Sequence, residues 1–428
     1  MKVAIYTLGC KVNQYETQAM EQELTGRGHT LVDFEETADA YIINTCSVTA
    51  VSDKKSRQMI RRAKKRNPDA VVAACGCYVQ THTEEAAQLD IDLISGTGDR
   101  MAFLNLLEQV AAEREPMKLV DDAFKRRQFE VLPAGGMAAR TRAMLKVEDG
   151  CVNFCAYCII PYARGGVRSL PMDIAVEQTK QLREEGYKEI VITGIEISSY
   201  GHDFKDGTTL IDLLEAISEA AGDMRLRLGS LEPRTITEEF CQRAVKLPNL
   251  CPHFHLSMQS GCDETLRRMN RKYDTVRYYE SVRLLNEYFD HPAITTDLIT
   301  GFPGETEEEF AQTLAFIEKC AFADMHVFPY SIRPGTPAAK MAQVAGPTKD
   351  ERAHRAGEVA AKMHRDYLAA CIGKTYPVLF EQPKDGKYSG HAPNYMEVEV
   401  AQEGLHNQVL NVKITAVQDD ILLGEVIK

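Results

Sequence analysis

Residues 148–169 read EDGCVNFCAYCIIPYARGGVRS and place three cysteines, Cys151, Cys155 and Cys158, within eight residues. A zinc site, a disulfide and an iron–sulfur cluster can all use closely spaced cysteines. Structural zinc completes four ligands, and neither a histidine nor a fourth cysteine lies near this loop. A cubane cluster held by three thiolates keeps one iron open, as a catalytic site does for its substrate. The spacing therefore favours an iron–sulfur cluster, with zinc as the alternative.

The segments around this loop predict a parallel α/β fold. Strand-like runs alternate with helix-like runs, and six such strands lie at AMLKVED, EIVITGI, RLRLGSL, HFHLSMQS, AITTDLITGF and DMHVFPYS. Thr306 and Glu309 have the spacing of a capping box before the fifth of the intervening helices. Six strands with helical crossovers predict a partial (β/α)6 barrel. The cysteine loop follows its first strand, where such folds carry their chemistry.

A second α/β unit precedes the barrel, and a β-rich tail follows it. The apolar runs VAIYTLGC, AYIINTC, AVVAACGC and IDLISGTG predict an N-terminal parallel α/β domain. The short runs YPVLFEQ, YMEVEVA, QVLNVKITAVQ and ILLGEVI predict a small C-terminal β-barrel of the oligonucleotide-binding kind. We therefore predict an N-terminal domain over 1–113, a linker over 114–136, a barrel core over 137–368 and a β-barrel over 370–428.

The composition restricts the compartment and the partners. The 428 residues are 44% hydrophobic and 26% charged, and the net charge of −12 gives no global attraction to nucleic acid. The chain lacks an apolar run of about 18 residues, which argues against a membrane span. Its start, MKVAIYTLGC, reads as a strand and not as a signal peptide. We expect a cytoplasmic protein that makes no membrane contact and whose clustered cysteines bind metal.

Three further cysteines, Cys10, Cys46 and Cys77, each end a strand candidate of the N-terminal domain. Strand ends at one edge of a parallel sheet converge in space, so these thiols predict a second cluster site. A free cysteine is more often a small buried hydrophobe, and this alternative applies to each of them taken singly. Cys75 is an ambiguous neighbour of Cys77.

The CxxxCxxC spacing, with Tyr157 before the last cysteine, resembles the radical S-adenosylmethionine (SAM) superfamily. Together with the N-terminal cysteines and the β-rich tail, it makes the whole chain resemble the methylthiotransferases, which have a cluster domain, a radical SAM core and a TRAM domain. Gly76 and Gln80 match the family pattern around its third N-terminal cysteine, which selects Cys77. The segments CAYCIIPYARGGVRS, HLSMQSGCDETLRRMNRKY and GHAPNYMEVEV are most similar to the branch that acts on N6-threonylcarbamoyladenosine in tRNA.

The resemblance implies two [4Fe–4S] clusters, one on each cysteine triad, and SAM as a cofactor. It also implies SAM contacts at the ends of the barrel strands, although ordinary loop or core packing is the alternative for each residue. The expected SAM-contacting residues are Tyr157, Gly194, Ser230, Glu232 and Gln259. Arg164 and Arg168 are expected either to neutralise the SAM carboxylate or RNA phosphate, or to lie on a solvated surface.

The clearest basic patch is DKKSRQMIRRAKKRNP, with eight Lys and Arg residues within thirteen positions of a predicted helix. Lys54, Arg57, Arg61 and Lys64 are spaced three or four residues apart and share one predicted face. Their mutual repulsion favours phosphate contact, and a solvated helix face is the alternative. In the acidic tail we expect RNA contacts from Asn394, Tyr395 and a few lysines.

The resemblance implies methylthiolation of C2 of N6-threonylcarbamoyladenosine at tRNA position 37, with two SAM per turnover and sulfur from the N-terminal cluster. The implied partners are the tRNA anticodon stem-loop and a low-potential electron donor such as flavodoxin or ferredoxin. Other branches act on isopentenyladenosine in tRNA or on a ribosomal-protein aspartate. A non-enzymatic RNA-binding protein with structural zinc is the alternative from another class.

Overall fold

The N-terminal domain is a six-stranded parallel sheet with strand order β2-β1-β3-β4-β5-β6. The computed structural model describes residues 1–135, 141–381 and 388–427. The strands of this sheet are β1 (Lys2–Thr7), β2 (Thr30–Val32), β3 (Ala40–Thr45), β4 (Val71–Gly76), β5 (Leu93–Ser95) and β6 (Met117–Leu119). The helices are α1 (Lys11–Gly26), α2 (Ala50–Arg66), α3 (Cys77–Thr81), α4 (Thr83–Ala86) and α5 (Arg100–Glu113).

The central strands β3 and β4 are buried at every position, which explains their continuous apolar sequences. The four strands predicted for this domain are present, whereas the short β2 and β6 carry too little pattern to be recognised from sequence. Strand β6 lies within the segment predicted as a linker and extends the edge of the sheet. A 3₁₀ helix, Ala123–Lys125, follows it.

The middle of the chain forms an open parallel barrel of two adjoining sheets, with orders β11-β10-β7 and β12-β13-β14-β15. Its strands, with the short hairpin β8/β9, are β7 (Arg142–Lys146), β8 (Glu148–Asp149), β9 (Arg168–Ser169), β10 (Glu189–Thr193), β11 (Arg225–Leu228), β12 (Ser230–Leu231), β13 (His253–Leu256), β14 (Ala293–Thr300) and β15 (Asp324–Pro329). The helices are α6 (Ile160–Arg164), α7 (Met172–Glu184), α8 (Leu210–Ala221), α9 (Glu238–Ala244), α10 (Asp263–Arg268), α11 (Thr275–Tyr288), α12 (Glu307–Cys320) and α13 (Gly346–Cys371).

The predicted partial (β/α)6 barrel is confirmed, and so is the capping box of Thr306 and Glu309 at the start of α12. Two predicted strands are interrupted. AMLKVED divides into β7 and β8, and RLRLGSL divides into β11 and β12, where the sheet splits. Each interruption lies close to the carboxyl end of its sheet, where the chain turns toward the cysteine loop.

The tail closes into a five-stranded barrel with order β16-β17-β18-β20-β19, as the sequence predicts. The strands are β16 (Thr375–Phe380), β17 (Tyr388–His391), β18 (Glu397–Val400), β19 (Val409–Gln418) and β20 (Ile421–Val426). Strand β17 was not expected, since its sequence YSGH has only one apolar position. In the described parts of the chain, no helix is long and apolar enough to cross a bilayer.

Candidate active site

The radical-cluster loop lies between β8 and α6, at the carboxyl end of the first barrel strand. The loop folds back on itself, because the Cys151 N–H donates to Gly165 O at 3.0 Å and the Cys158 N–H donates to Cys155 O at 2.9 Å. Cys155 is buried, and Cys151 and Cys158 are half-buried. These bonds fold the backbone of the loop back toward its start.

Burial raises the pKa of Cys151 and of Cys158 to about 12, with a smaller contribution from the neighbouring cysteines. Such thiols resist ionisation until a cation binds, and a metal-bound thiol loses its proton outright. Three cysteines on one loop match the donor set of a [4Fe–4S] cluster that keeps one iron open. Among residues 1–135, 141–381 and 388–427, no group of three His, Cys, Asp or Glu side chains is arranged to hold a single metal ion. A cubane makes a different demand, since each thiolate binds a different iron.

Arg271 is a residue that the sequence analysis did not assign. Its Nη1 donates to Cys155 Sγ at 3.2 Å, and its Nη2 donates to Ser257 O at 3.0 Å. The guanidinium also lies 4.8 Å from the centre of the Tyr273 ring. Arg271 is thus held on three sides against one cluster thiol. Arg271 lies in RMNRKY, which is part of a segment that carries the family resemblance, but the sequence analysis gave this residue no role.

A cavity of about 420 Å³ adjoins the cysteine loop and is lined by Asn153, Glu196, Ser198, Glu232 and Arg234, among others. Burial raises the pKa of Glu196 to about 7. The Oε1 atom of Glu196 is buried without a hydrogen-bond partner in the described chain, while Oε2 accepts from Asn153 Nδ2 at 3.5 Å. An unsatisfied carboxylate oxygen fits an ammonium or hydroxyl donor on a ligand, and SAM carries both.

Of the five residues expected to contact SAM, only Glu232 lines this cavity. Its carboxylate accepts from Arg234 N and Nε at 3.1 and 2.9 Å. Ser230 Oγ lies 2.9 Å from Ser257 Oγ, and the Tyr157 ring packs edge-on against Phe302 at 6.4 Å.

The two remaining positions have constrained backbones. A Cβ at Gly194 would lie 2.9 Å from Glu148 O, and Gln259 has a φ of +68°. Sequence reasoning missed Glu196, although it lies only two residues beyond Gly194 at the end of β10.

The second triad follows three adjacent strands of the N-terminal sheet, with Cys10 after β1, Cys46 after β3 and Cys77 after β4. A Cβ at Gly9 would lie 2.8 Å from Cys46 Sγ, so the first loop touches the second cysteine. Burial raises the pKa of Cys77 to about 12, with a smaller contribution from Cys10 and Cys46. Cys46 and Cys77 are buried, and Cys10 is exposed.

Cys75 is fully buried in the apolar core of the N-terminal domain, which also contains Met20, Phe103 and Leu107. Burial raises its pKa to about 11, and the largest opposing effect comes from Arg100. This thiol points away from the triad, which agrees with the choice of Cys77.

Arg164 and Arg168 are buried, so the expectation of a solvated surface is wrong for both. Arg164 Nη2 donates to Asn13 Oδ1 at 2.9 Å and forms ion pairs with Glu16. Arg168 pairs with Asp149 at 3.3 Å. Both guanidinium groups are occupied by carboxylates inside the interface between the N-terminal domain and the barrel. This interface also brings α6 against the N-terminal domain, because Thr97 Oγ1 donates to Ala163 O at 2.6 Å.

The basic helix α2 does not form one exposed stripe. Of the four expected RNA-contacting residues, Lys54 and Arg61 are exposed, while Arg57 and Lys64 are half-buried beside the core-facing side. Arg57 pairs with Glu85 at 3.0 Å, and Lys64 pairs with Asp92 at 3.3 Å.

Acidic partners also occupy Arg62 and Arg66, which both pair with Glu35. The repulsion that the sequence suggested is therefore reduced. The exposed cations of α2 that make no ion pair within the described chain are Lys54, Lys55, Arg61 and Lys65.

The tail residues expected to contact RNA lie at the junction of the β-barrel and the core. Asn394 is 1% exposed and donates to Tyr367 OH at 3.3 Å, so the expected RNA contact is wrong for this side chain. The Tyr395 ring lies 4.6 Å from the Arg227 guanidinium and 4.8 Å from the His391 ring. Lys384, Lys387 and Lys428 lie outside the described residues.

Two known protein-family models match separate parts of the chain. The model of "Uncharacterized protein family UPF0004" matches residues 2–96, and that of the "Radical SAM superfamily" matches residues 145–317. Membership of the radical SAM superfamily implies SAM and a [4Fe–4S] cluster. Among solved structures, the radical SAM methyltransferase TsrM from Kitasatospora setae has a TM-score of 0.58 at 14% identity and covers 90% of this chain and 79% of its own. That similarity shows the fold alone.

Similar sequences extend over almost the entire chain. "Threonylcarbamoyladenosine tRNA methylthiotransferase MtaB" of Bacillus subtilis (strain 168) is 41% identical over 420 residues, which cover 96% of this chain and 93% of the relative. The protein of the same name from Aquifex aeolicus is 38% identical over 89% of this chain and 92% of its own. "tRNA-2-methylthio-N(6)-dimethylallyladenosine synthase" of Acetivibrio thermocellus is 33% identical over 99% of this chain and 90% of its own. The chain therefore belongs to the radical SAM methylthiotransferase family.

Proposed function

We propose that this enzyme methylthiolates C2 of N6-threonylcarbamoyladenosine at position 37 of tRNA. The observation that carries the proposal is the 41% identity, over 96% of the chain, to a protein named for that activity. The two cysteine triads support it, since transfer of sulfur to an inert C–H carbon needs both a radical source and a sulfur source. We retain 1–113, 114–136, 137–368 and 370–428 as the proposed domains, and residue 137 itself lies outside the described residues.

Each triad has an assigned task. Cys151, Cys155 and Cys158 would hold the radical cluster. Cys10, Cys46 and Cys77 would hold a second [4Fe–4S] cluster. When bound, the first cluster with one SAM supplies the radical that removes the C2 hydrogen, and the second cluster with another SAM supplies the methylthio group. The electron donor would be a low-potential protein such as flavodoxin or ferredoxin.

The chain's own residues prepare these sites. Arg271 donates a hydrogen bond to the Cys155 thiolate, which stabilises negative charge on that sulfur. Glu196 and Asn153 would orient SAM in the adjoining cavity, since a buried carboxylate oxygen without a partner gains most from a ligand donor. Arg164 and Asn13 hold α6 against the N-terminal domain and so fix the position of one triad relative to the other. Ser230, Gly194, Gln259 and Tyr157 would shape the strand ends around the cofactor.

The proposed substrate is tested by mass spectrometry of tRNA nucleosides from a strain that lacks this protein. We expect loss of the 2-methylthio form of N6-threonylcarbamoyladenosine, accumulation of the unmodified form, and restoration by the wild-type chain. The second candidate is the branch that acts on isopentenyladenosine in tRNA, because one relative of that branch is 33% identical. Loss of the 2-methylthio form of isopentenyladenosine in the deletion strain would support this branch instead. Normal nucleosides together with loss of a modified ribosomal aspartate would select the protein-modifying branch.

We also propose that α2 contacts RNA phosphates through its exposed cations. Reversing Arg61 and Lys65 to glutamate is expected to weaken tRNA binding and to reduce the slope of log K against log salt by up to about two, at about 0.9 per phosphate contact. Lys64 is left unchanged because it pairs with Asp92. The measurement is a salt titration of binding to labelled tRNA.

A matched control reverses Lys180 and Arg183 on α7, which are exposed cations on one helix and make no ion pair within the described residues. This variant should retain both the affinity and the slope. If the α2 variant binds tRNA like the control variant, the exposed cations of α2 are solvated and do not contact RNA.

A further inference from the structure

Three aromatic rings are exposed beside the radical-cluster loop, although aromatic side chains are usually largely buried. Phe124 is 41% exposed, Phe154 is 38% exposed and Tyr162 is 41% exposed. The rings contact one another, with centroid distances of 6.3 Å for Phe124–Phe154, 6.2 Å for Phe124–Tyr162 and 5.8 Å for Phe154–Tyr162. We call these three residues the aromatic cluster. It joins three separate pieces of chain into one surface.

The backbone is constrained to present these rings. Phe154 has a φ of +47°, a conformation that is costly for a bulky residue, and its carbonyl accepts from Asn270 Nδ2 at 2.9 Å. Gly165 has a φ of +77°, and a Cβ there would lie 2.1 Å from Ala123 O. That glycine lets the 3₁₀ helix Ala123–Lys125 approach α6, which brings Phe124 beside Tyr162. The strained backbone at Phe154 and the close approach at Gly165 therefore both lie at this exposed surface.

The aromatic cluster lies on the radical-cluster loop and on the helix α6, which contacts the N-terminal domain. Phe154 lies between Cys151 and Cys155, and the preceding Asn153 lines the cavity proposed for SAM. Tyr162 lies on α6, whose last residue, Arg164, donates to Asn13 Oδ1 at 2.9 Å, three residues beyond Cys10.

The segment DDAFKRRQ around Phe124 contains two acids and three cations, and Asp121 pairs with Arg126, which leaves Lys125 and Arg127 as the cations available to a ligand. Phe124 opens the segment FKRRQ, in which Lys125 and Arg127 are exposed. Lys125 makes no ion pair within the described parts of the chain, and Arg127 donates only to the backbone carbonyls of Phe124 and Arg126. These cations stand out in a chain of net charge −12.

We propose that the aromatic cluster is a stacking platform for unpaired nucleobases that flank the target adenosine in the RNA loop. Single-stranded bases are recognised by stacking on aromatic rings, with cations along the backbone. Bases of a loop are unstacked at little cost, so a platform beside the cluster loop would hold the target base between the triads. The inference rests on the proposed function and adds the residues that position its substrate.

The test uses a leucine pair, Phe124→Leu with Tyr162→Leu, which keeps apolar bulk but removes the π faces. The control exchanges the rings, Phe124→Tyr with Tyr162→Phe, and retains stacking. The probe is an anticodon stem-loop with 2-aminopurine beside the target adenosine, because stacking quenches its fluorescence. We expect the leucine pair to lose quenching and to bind at least about fivefold more weakly, the lower limit for one stacked base. Its salt slope should not change, since no charge is removed. The control should behave as the wild type.

Equal affinity and quenching in the leucine pair, with a wild-type enzyme that modifies tRNA, would overturn the inference alone. A wild-type enzyme that modifies no tRNA would instead overturn the proposed function. The leucine pair could instead bind RNA normally but be reduced more slowly by flavodoxin, while dithionite reduces it at the wild-type rate. That result would identify the surface as the binding site of a protein electron donor and would also overturn the inference. If the leucine pair loses iron, Phe124→Leu alone carries the test, because Phe124 lies outside the cysteine loop.

Discussion

Replacing Cys10, Cys46 and Cys77 with alanine is expected to abolish methylthiolation while leaving cleavage of SAM. Replacing Cys151, Cys155 and Cys158 is expected to abolish both reactions. The physical reason is the proposed separation of tasks between two sites, one on the loop after the first barrel strand and one at the strand ends of the N-terminal sheet. Without Cys10, Cys46 and Cys77 the radical site retains all its ligands and its cavity. Without Cys151, Cys155 and Cys158 no radical forms, so the sulfur site has no activated carbon to act on.

Iron content distinguishes this division from a single shared cluster. The wild-type chain should bind about eight irons after anaerobic reconstitution, and either triple variant about four. Formation of 5′-deoxyadenosine and of the methylthio nucleoside is measured on the same samples. Cys75→Ala is the matched control, because Cys75 lies two residues before the predicted ligand Cys77 but packs in the apolar core. It should retain about eight irons.

A wild-type chain that saturates near four irons would contradict the second cluster. Methylthiolation at the normal rate by the N-terminal triple variant would contradict the proposed source of sulfur. If anaerobically prepared protein contains zinc in place of iron, the chain is better explained as a non-enzymatic RNA-binding protein with structural zinc.

The placement of Cys10, Cys46 and Cys77 after strands of a parallel sheet was predictable, because those strands are visible as apolar runs. The strands β3 and β4 carry the clearest runs, and Cys46 and Cys77 follow them directly. The cavity was less predictable. Glu196 is one of many acidic residues in the sequence, and only the fold removes water from around it.

The partners of the charged residues were the hardest feature to predict from the sequence. In sequence, Arg57 and Lys64 look like solvated cations, but Glu85 and Asp92 reach them from other segments. Arg164 looks like a ligand for an anion, but its anion is Glu16, which lies 148 positions away in the chain. Ion pairs between distant segments leave no periodic pattern, because their partners meet only after the sheets have packed. The same holds for the aromatic cluster, whose members come from a 3₁₀ helix, a loop and a helix.

Glu16→Gln is expected to be the most destabilising single substitution at the interface between the N-terminal domain and the barrel. The Glu16 carboxylate is fully buried and pairs with Arg100 at 2.7 Å, with Lys146 at 3.2 Å and with Arg164. Arg100 belongs to the N-terminal domain, whereas Lys146 and Arg164 belong to the barrel. Loss of this charge leaves three buried cations short of a counter-charge. A broken buried pair costs about 3–5 kcal/mol.

Thermal unfolding of the Glu16→Gln variant should show a Tm lower by about 6–20 °C, at about 2–4 °C per kcal/mol. Glu23→Gln is the matched control on the same helix, since Glu23 pairs with Arg27 at the surface, where an ion pair contributes about 0–1 kcal/mol. Similar Tm values for the two variants would show that the network contributes little. A double variant, Glu16→Gln with Arg100→Met, should lose less stability than the sum of its parts, because it also removes one uncompensated cation.

The pH dependence gives an independent measure of the same network. The surrounding Arg100, Arg164 and Lys146 hold the pKa of Glu16 well below its usual range, against the effect of burial. The Lys146, Arg164 and Arg168 cations lower the pKa of Asp149 to about 2, also against burial. A depressed folded-state pKa stabilises the fold fully above the unfolded-state pKa, which is about 4 for carboxyl groups, and this stabilisation is lost as the pH falls toward the folded-state value. The stability difference between wild type and Glu16→Gln should therefore be constant from pH 6 to 8 and should shrink below about pH 4. A difference that stays constant down to pH 3 would mean that Glu16 stabilises the interface by packing and not by its charge.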